Sequence, residues 1–283
     1  MGLRVSKLLL FRKRCEMYRY YVSNYDHNFL KRINEIEFKD FKIYKEDLEK
    51  FSNIFDCYQN YKRSEITVRN YIENIDKYGT CNLNEVYRNC KYIFMQNIIF
   101  GRILIDNVKS YCNQLNRLEL KKKVRKFESL DELRMLKLLR DFGQHFSLPF
   151  SDLKMKTCLS DETTTIEPLI SVGELRRNEH SNKQNKMFLK TITDKEVSIL
   201  NYFRKWSIKL DELYIFIKQD FSLFTSSKMN RFIKNNIACF DGNTNGYIPI
   251  GLSQAELIDQ TNGLYRTIEF ISFDEMVLFD LFS

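Results

Sequence analysis

Proline is close to missing. There are three in 283 residues, Pro149, Pro168 and Pro249, and none in the first 148. Glycine is scarce at nine, histidine at three and tryptophan at one. Each shortage excludes something. A chain this poor in Gly and Pro is neither fibrous nor low-complexity, and at 43% hydrophobic and 14% aromatic it is too apolar to be disordered. Three histidines (27, 145 and 180) leave little for a His-rich metal site. The seven cysteines (15, 57, 81, 90, 112, 158 and 239) contain no Cys-x2-Cys pair, so neither a zinc site nor a disulfide framework is expected. Cys90 and Cys112 sit in apolar helical surroundings, and free thiols of that kind fit a reducing cytoplasm.

Long apolar runs are missing too. The longest uncharged apolar stretch, Tyr92 to Gly101, is about half a membrane span. Leu8–Phe11 is too short for a signal peptide, and no membrane association is expected. Met1-Gly2-Leu3-Arg4-Val5-Ser6 matches a myristoylation pattern. The wealth of Lys, Asn, Ile, Phe and Tyr instead looks like low-GC bacterial coding bias, in which that pattern carries no weight. Gly-x4-Gly-Lys-Ser/Thr and Gly-x-Gly-x2-Gly are absent, so neither of these phosphate-binding turns is on offer.

What is present is an uneven charge. The formal net charge is +8, but residues 1–150 sum to +10 and residues 151–283 to −2. A basic half without proline predicts long uninterrupted helices and a polyanionic partner such as RNA.

Apolar spacing predicts a mainly α protein. The first 44 residues read equally as helix or strands. A helix begins near Lys45 on Leu48, Phe51, Ile54, Phe55 and Tyr58, and a second is expected over 64–78, stopped by Gly79. Residues 84–115 form the strongest segment, a rod of about thirty residues with a broad apolar stripe. Lys121, Lys122, Lys123, Arg125 and Lys126 read as a basic connector that either tracks an RNA backbone or is simply solvated. Ser129-Leu-Asp-Glu132 reads as a capping box opening a helix that ends near Ser147, before Pro149.

Beyond residue 150 a mixed α+β or helical region is expected. It has a strand near 168–172, a polar loop over 176–186, helices from 193 to 240, a second capping box at Ser253-Gln-Ala-Glu256, and strands at 268–273 and 277–282. Trp206 and its aromatic neighbours Tyr202, Phe203, Tyr214 and Phe216 read as core. Asp241-x-Asn243-x-Asn245-Gly246 begins like a calcium loop, but Pro249 stands at its ninth position and Leu252 where the bidentate Glu belongs. It reads as an Asn/Gly turn.

One string carries chemistry: Arg140-Asp141-Phe142-Gly143-Gln144-His145. On a helix, Asp141 and His145 lie one turn apart, so the carboxylate can orient the imidazole. Arg140 is about 140° round from His145, and its long side chain can swing across. The set offers a planar cation for a phosphate beside a group that titrates near neutral pH.

The string resembles the Arg-polar-x4–6-His motif of HEPN (higher eukaryotes and prokaryotes nucleotide-binding) domains, with Asp141 where the family often has Asn or His. The resemblance covers residues 45–150. It implies an up-and-down helical bundle, with residues 1–44 and 151–283 as an N-terminal segment and an additional C-terminal region. It further implies a metal-independent endoribonuclease of anti-phage defence or toxin–antitoxin systems, without cofactor, acting as a homodimer under an inhibitory or activating protein partner. Catalysis would fall to Arg140, Asp141 and His145. Gln144 and the five cations of 121–126 would bind RNA. The alternatives are a non-catalytic RNA- or protein-binding module, and a partner modified by a nucleotidyltransferase.

Overall fold

The computed structural model describes residues 18–26, 29–75, 82–114, 118–145, 148–158, 160, 163–178, 183–224 and 250–272. The described part is mainly α with two small antiparallel sheets. It divides into two compact units, one formed by residues 1–52 with 218–283 and the other by residues 53–217. The boundaries expected near 44 and 150 do not coincide with these units, and the first and last parts of the chain belong together.

The first unit holds β1 (Tyr18–Asp26), β2 (Phe29–Ile36), β6 (Ile250–Asp259) and β7 (Leu264–Ser272), in the order β2-β1-β6-β7. The N-terminal hairpin pairs with the C-terminal one through Tyr21 opposite Ser253 and Ser23 opposite Gly251. Residues 253–256 are thus strand, not the start of a helix. Ser253 spends its hydroxyl on Ser23 Oγ, 2.6 Å away and buried, so the local Ser-x2-Glu signature is overridden by a partner strand. Gly251 is required by close approach, because a Cβ there would lie 2.2 Å from the Ile271 carbonyl oxygen. Of the expected strand 268–273, residues through Ser272 fall in β7. The first turns of α1 (Phe38–Glu73) cover the sheet, and Phe41, Tyr44 and Leu48 meet Val22 and Leu252 in a small core.

α1 is one helix of 36 residues where two were expected. Nothing between 38 and 73 breaks it: the segment has no Gly or Pro, and Ser64 donates its hydroxyl back to Tyr61 O at 2.6 Å.

The second unit is helical around α2 (Leu83–Gln114), which matches the expected rod to within a residue at either end. The basic connector is itself a helix, α3 (Leu118–Glu128), because Leu120 and Val124 at i,i+4 are buried and the cations share the outer faces. The motif helix α4 (Asp131–His145) follows directly. Ser129 does not act as its capping box. Its hydroxyl donates to Lys126 O at 2.7 Å, closing α3, and α4 begins with Arg134 N donating to Leu130 O.

Then come β3 (Phe150–Cys158), β4 (Thr163–Ser171), α5 (Val172–Arg177), α6 (Lys183–Thr191), β5 (Glu196–Ser198) and α7 (Ile199–Phe224). β4 contains the expected strand at Pro168 and lies between β3 and β5. The expected polar loop 176–186 largely gives way to the ends of α5 and α6.

The core of this unit is large and contains a chain of polar side chains. Trp206 Nε1 donates to Asn97 Oδ1 at 3.1 Å, Asn97 Nδ2 donates to Ser64 Oγ at 3.0 Å, and Tyr61 Oη donates to Ser207 Oγ at 2.9 Å. Trp206, Phe203 and Tyr214 are buried as core side chains. The calcium-loop-like residues 241–249, the strand expected at 277–282, and residues 225–240 lie outside the described residues, as do His27, His180, Cys15, Cys81 and Cys239.

Candidate phosphate site on helix α4

α4 forms because one side of it is apolar. Met135, Leu136, Leu138, Leu139 and Phe142 are buried, and Asp131 and Glu132 suit the positive end of the helix dipole. The opposite side carries Arg134, Lys137, Arg140, Asp141 and Gln144, which fall within an arc of about 120° by helical arithmetic. The C-terminal end is pinned by residues 148–171. Phe150 N donates to Leu148 O at 2.8 Å and Ser171 N to Pro149 O at 2.9 Å, so the chain passes straight into the β3–β4 hairpin. Gly143 lets α4 approach α2 closely, since a Cβ there would lie 2.3 Å from Met95 Cε.

Arg140 is the best-positioned member of the string, about three-quarters buried. Its Nη1 donates to Gln144 Oε1 at 3.2 Å. Its Nε lies 3.1 Å from Asp141 Oδ1, near enough to pair but not aligned as a hydrogen bond. Nη2 lies 3.9 Å from Asp106 Oδ2 on α2, a loose ion pair. Arg140, Asp141 and Gln144 therefore do come together, but Asp141 engages the arginine. His145 is the last residue of α4, and its side chain lies outside the described residues.

Sequence reading missed the support behind Arg140. Arg102 and Asp106 lie one turn apart on α2, with Arg102 Nη2 3.0 Å from Asp106 Oδ1 and 3.2 Å from Glu128 Oε1. Lys109 Nζ is 3.0 Å from Glu128 Oε2. The Arg102 side chain is only 3% exposed, and its Nε and Nη1 are buried without a hydrogen-bond partner. Burial alone would raise the Glu128 carboxyl, but the Lys109 hydrogen bond and the charges of Arg102 and Lys109 outweigh it and hold it below the usual range. The available signal was an Arg-x3-Asp pair interrupting an otherwise apolar stripe.

The five cations of α3 do not act as one line. Lys121 donates to Asn113 Oδ1 at 2.6 Å, Lys122 to Glu119 Oε1 at 2.6 Å, and Lys123 sits over the Phe216 ring, 5.1 Å from its centre. Arg125 lines a cavity, and Lys126 is exposed. Among the described residues no group of three or more His, Cys, Asp or Glu is placed to hold a metal ion. No described helix is long and apolar enough to cross a membrane. Comparison with protein-family models, curated proteins and solved structures gives no match for this chain.

Proposed function

We propose that the chain is a metal-independent endoribonuclease of the HEPN type, with residues 45–150 as the HEPN-like bundle and a role in anti-phage defence or toxin–antitoxin control. One observation carries the reading: the Arg140–His145 string lies at the C-terminal end of a helix packed on a long central rod, with its arginine grouped with Asp141 and Gln144. In the proposed reaction a ribose 2′-oxygen attacks the adjacent phosphorus and the bond to the 5′-oxygen breaks. One His145 accepts the 2′-proton, and a second donates a proton to the leaving 5′-oxygen. The products are a 2′,3′-cyclic phosphate and a 5′-hydroxyl. Arg140 and Gln144 hold the phosphate, and the guanidinium stabilises the added charge of the transition state. Because each chain offers one histidine in the string, the reading requires a homodimer with two His145 in one cleft.

A second reading is favoured by the same geometry. The Arg140 guanidinium already faces two carboxylates, Asp141 and Asp106. A structural ion pair of that kind suits a non-catalytic helical module that binds RNA or a protein.

The two separate in one experiment. Total RNA is incubated in EDTA with the full chain and with Arg140→Ala/His145→Ala. The nuclease reading expects cleavage that slows about 100-fold or more in the variant. RNA bound but left intact by both proteins supports the module instead. Equal cleavage by both removes the string from the chemistry.

A further inference from the structure

α3, α4 and α6 border a half-open cavity of about 360 Å³ lined by Arg125, Glu128, Arg134, Lys137, Gln184 and Asn185. Its volume lies within the ordinary range of small-molecule sites. What distinguishes it is an uncompensated charge. Arg134 and Lys137 are one turn apart on α4 and both half-buried, while Arg125 projects from the last turn of α3. None of the three is paired with a carboxylate among the described residues. The one carboxylate in the lining, Glu128, already serves Arg102 at 3.2 Å and Lys109 at 3.0 Å.

Half-buried cations without a counter-charge, as Arg134 and Lys137 are, give up hydration for nothing in return, unless a bound anion supplies what the protein does not, and the exposed Arg125 adds a third positive charge at the rim. The lining is built by residues from three separate helices. That separates it from the ordinary case of lysines scattered along one solvated face.

The number of cations limits the ligand. A phosphate monoester carries about −1.5 to −2 near pH 7, which leaves part of three positive charges unmatched. Two linked phosphates match them better. Arg134 and Lys137 stand about 4.5 Å apart along the helix axis, so adjacent phosphates can each meet a cation. Arginine supplies the planar fork suited to phosphate oxygens and lysine a point charge. The Gln184 and Asn185 side chains, at the first turn of α6, bring amides to the same wall, and amides can orient a polar ligand.

We propose that this cavity is a binding site for a diphosphate-bearing ligand, held by Arg125, Arg134 and Lys137. The site is distinct from the Arg140 string and does not depend on the ribonuclease reading, because Arg140 takes no part in the lining.

Calorimetric titration of the full chain tests it at low salt with three probes: pyrophosphate, orthophosphate and ADP. The expected result is saturable binding of pyrophosphate, at least tenfold tighter than orthophosphate, and weakened tenfold or more by Arg134→Ala/Lys137→Ala. ADP binding with similar affinity identifies a nucleoside diphosphate as an acceptable source of the group, and pyrophosphate bound alone restricts the site to the free diphosphate. Gln184→Glu, on an exposed residue, introduces a negative charge into the lining without removing packing. It should also weaken pyrophosphate and keeps the test alive if the double variant fails to fold. Lys121→Ala/Lys122→Ala removes two cations from α3 outside the cavity and should leave affinity within twofold. Absence of saturable binding, no preference over orthophosphate, or an equal loss in the Lys121/Lys122 variant overturns the proposal.

Discussion

The two compact units reach stability by different routes. In the sheet unit the described core is a handful of side chains, Val22, Phe41, Tyr44, Leu48 and Leu252, joined by strands about 230 residues apart in sequence. In the helical unit the core is large, and a polar chain through Trp206, Asn97, Ser64, Tyr61 and Ser207 fixes how α1, α2 and α7 meet. A small core closed by distant strands depends on each contact. A large one tolerates loss at most positions but has a few where packing and hydrogen bonding coincide. Buried polar chains cost little while every member is satisfied and much when one is removed.

The largest effect that sharpens this contrast is expected at Trp206. Trp206→Ala leaves a cavity in a fully buried site and strips Asn97 Oδ1 of its donor, and it should lower stability by about 3–5 kcal/mol. Leu252→Ala, in the smaller core, should lower stability by about 2–5 kcal/mol. Urea denaturation gives the totals, and hydrogen exchange by mass spectrometry locates the damage. Exchange should rise in α1, α2 and α7 for the first variant and in β1, β6 and β7 for the second. Equal exchange patterns in the two variants would erase the distinction between the cores.

The same contrast governs what the sequence reveals. α2 was legible almost to the residue because a continuous stripe from Val86 to Cys112, with no proline, leaves few alternatives to a helix. The stop at Pro149 was legible for a similarly local reason. Of the strands only parts of β4 and β7 were, through the expected segments at 168–172 and 268–273; β3, β5 and β6 were not. Ser253-Gln-Ala-Glu256 carries a helix signature, and pairing with Tyr18–Asp26 on one side and Leu264–Ser272 on the other decides for strand. α3 was hidden by its own charge, since two buried residues, Leu120 and Val124, outweigh five cations. Of the candidate site, the grouping of Arg140 with Gln144 follows from helical spacing. Asp106, Arg102 and Glu128 come from other helices, and no local pattern announces them. The cavity between α3, α4 and α6 was illegible for the same reason.

A smaller effect probes how tightly the sheet unit is built. Gly251→Ala places a methyl group 2.2 Å from a backbone carbonyl oxygen, which cannot rotate away as a side chain can. The β6–β7 pair must then part locally, at a cost of about 1–3 kcal/mol in urea denaturation. Gly143→Ala is the helical counterpart. Its clash is with the flexible end of Met95, and the gain in helix propensity offsets part of the strain, so the loss should be smaller. A Gly143→Ala loss equal to that of Gly251→Ala would show that α4 and α2 fit as rigidly as the strands.

The smallest expected effect is in pH dependence, where one carboxylate from each unit behaves oppositely. Asp47, on α1 within the sheet unit, is raised by burial, which outweighs the attraction of Lys50. A raised folded value means that the charged form disfavours folding. The penalty is absent below the unfolded value near 3.8 and complete once pH exceeds the folded value. Glu128 in the helical unit is lowered, so its contribution is complete above the unfolded value near 4.5 and is lost as pH falls through the folded one. Acidification from pH 7 to pH 4 should therefore relieve a strain at Asp47 while beginning to remove a support at Glu128. Asp47→Asn should be more stable than the parent at pH 7, with the gain shrinking toward pH 4. Glu128→Gln should be less stable at pH 7, with the deficit shrinking on the acid side, because the parent's carboxylate there loses the charge that the variant lacks at every pH. Urea midpoints measured for both variants across that range check the signs. A Glu128→Gln deficit that stays constant on acidification would mean that the Arg102–Glu128–Lys109 cluster is held together by hydrogen bonding and not by charge.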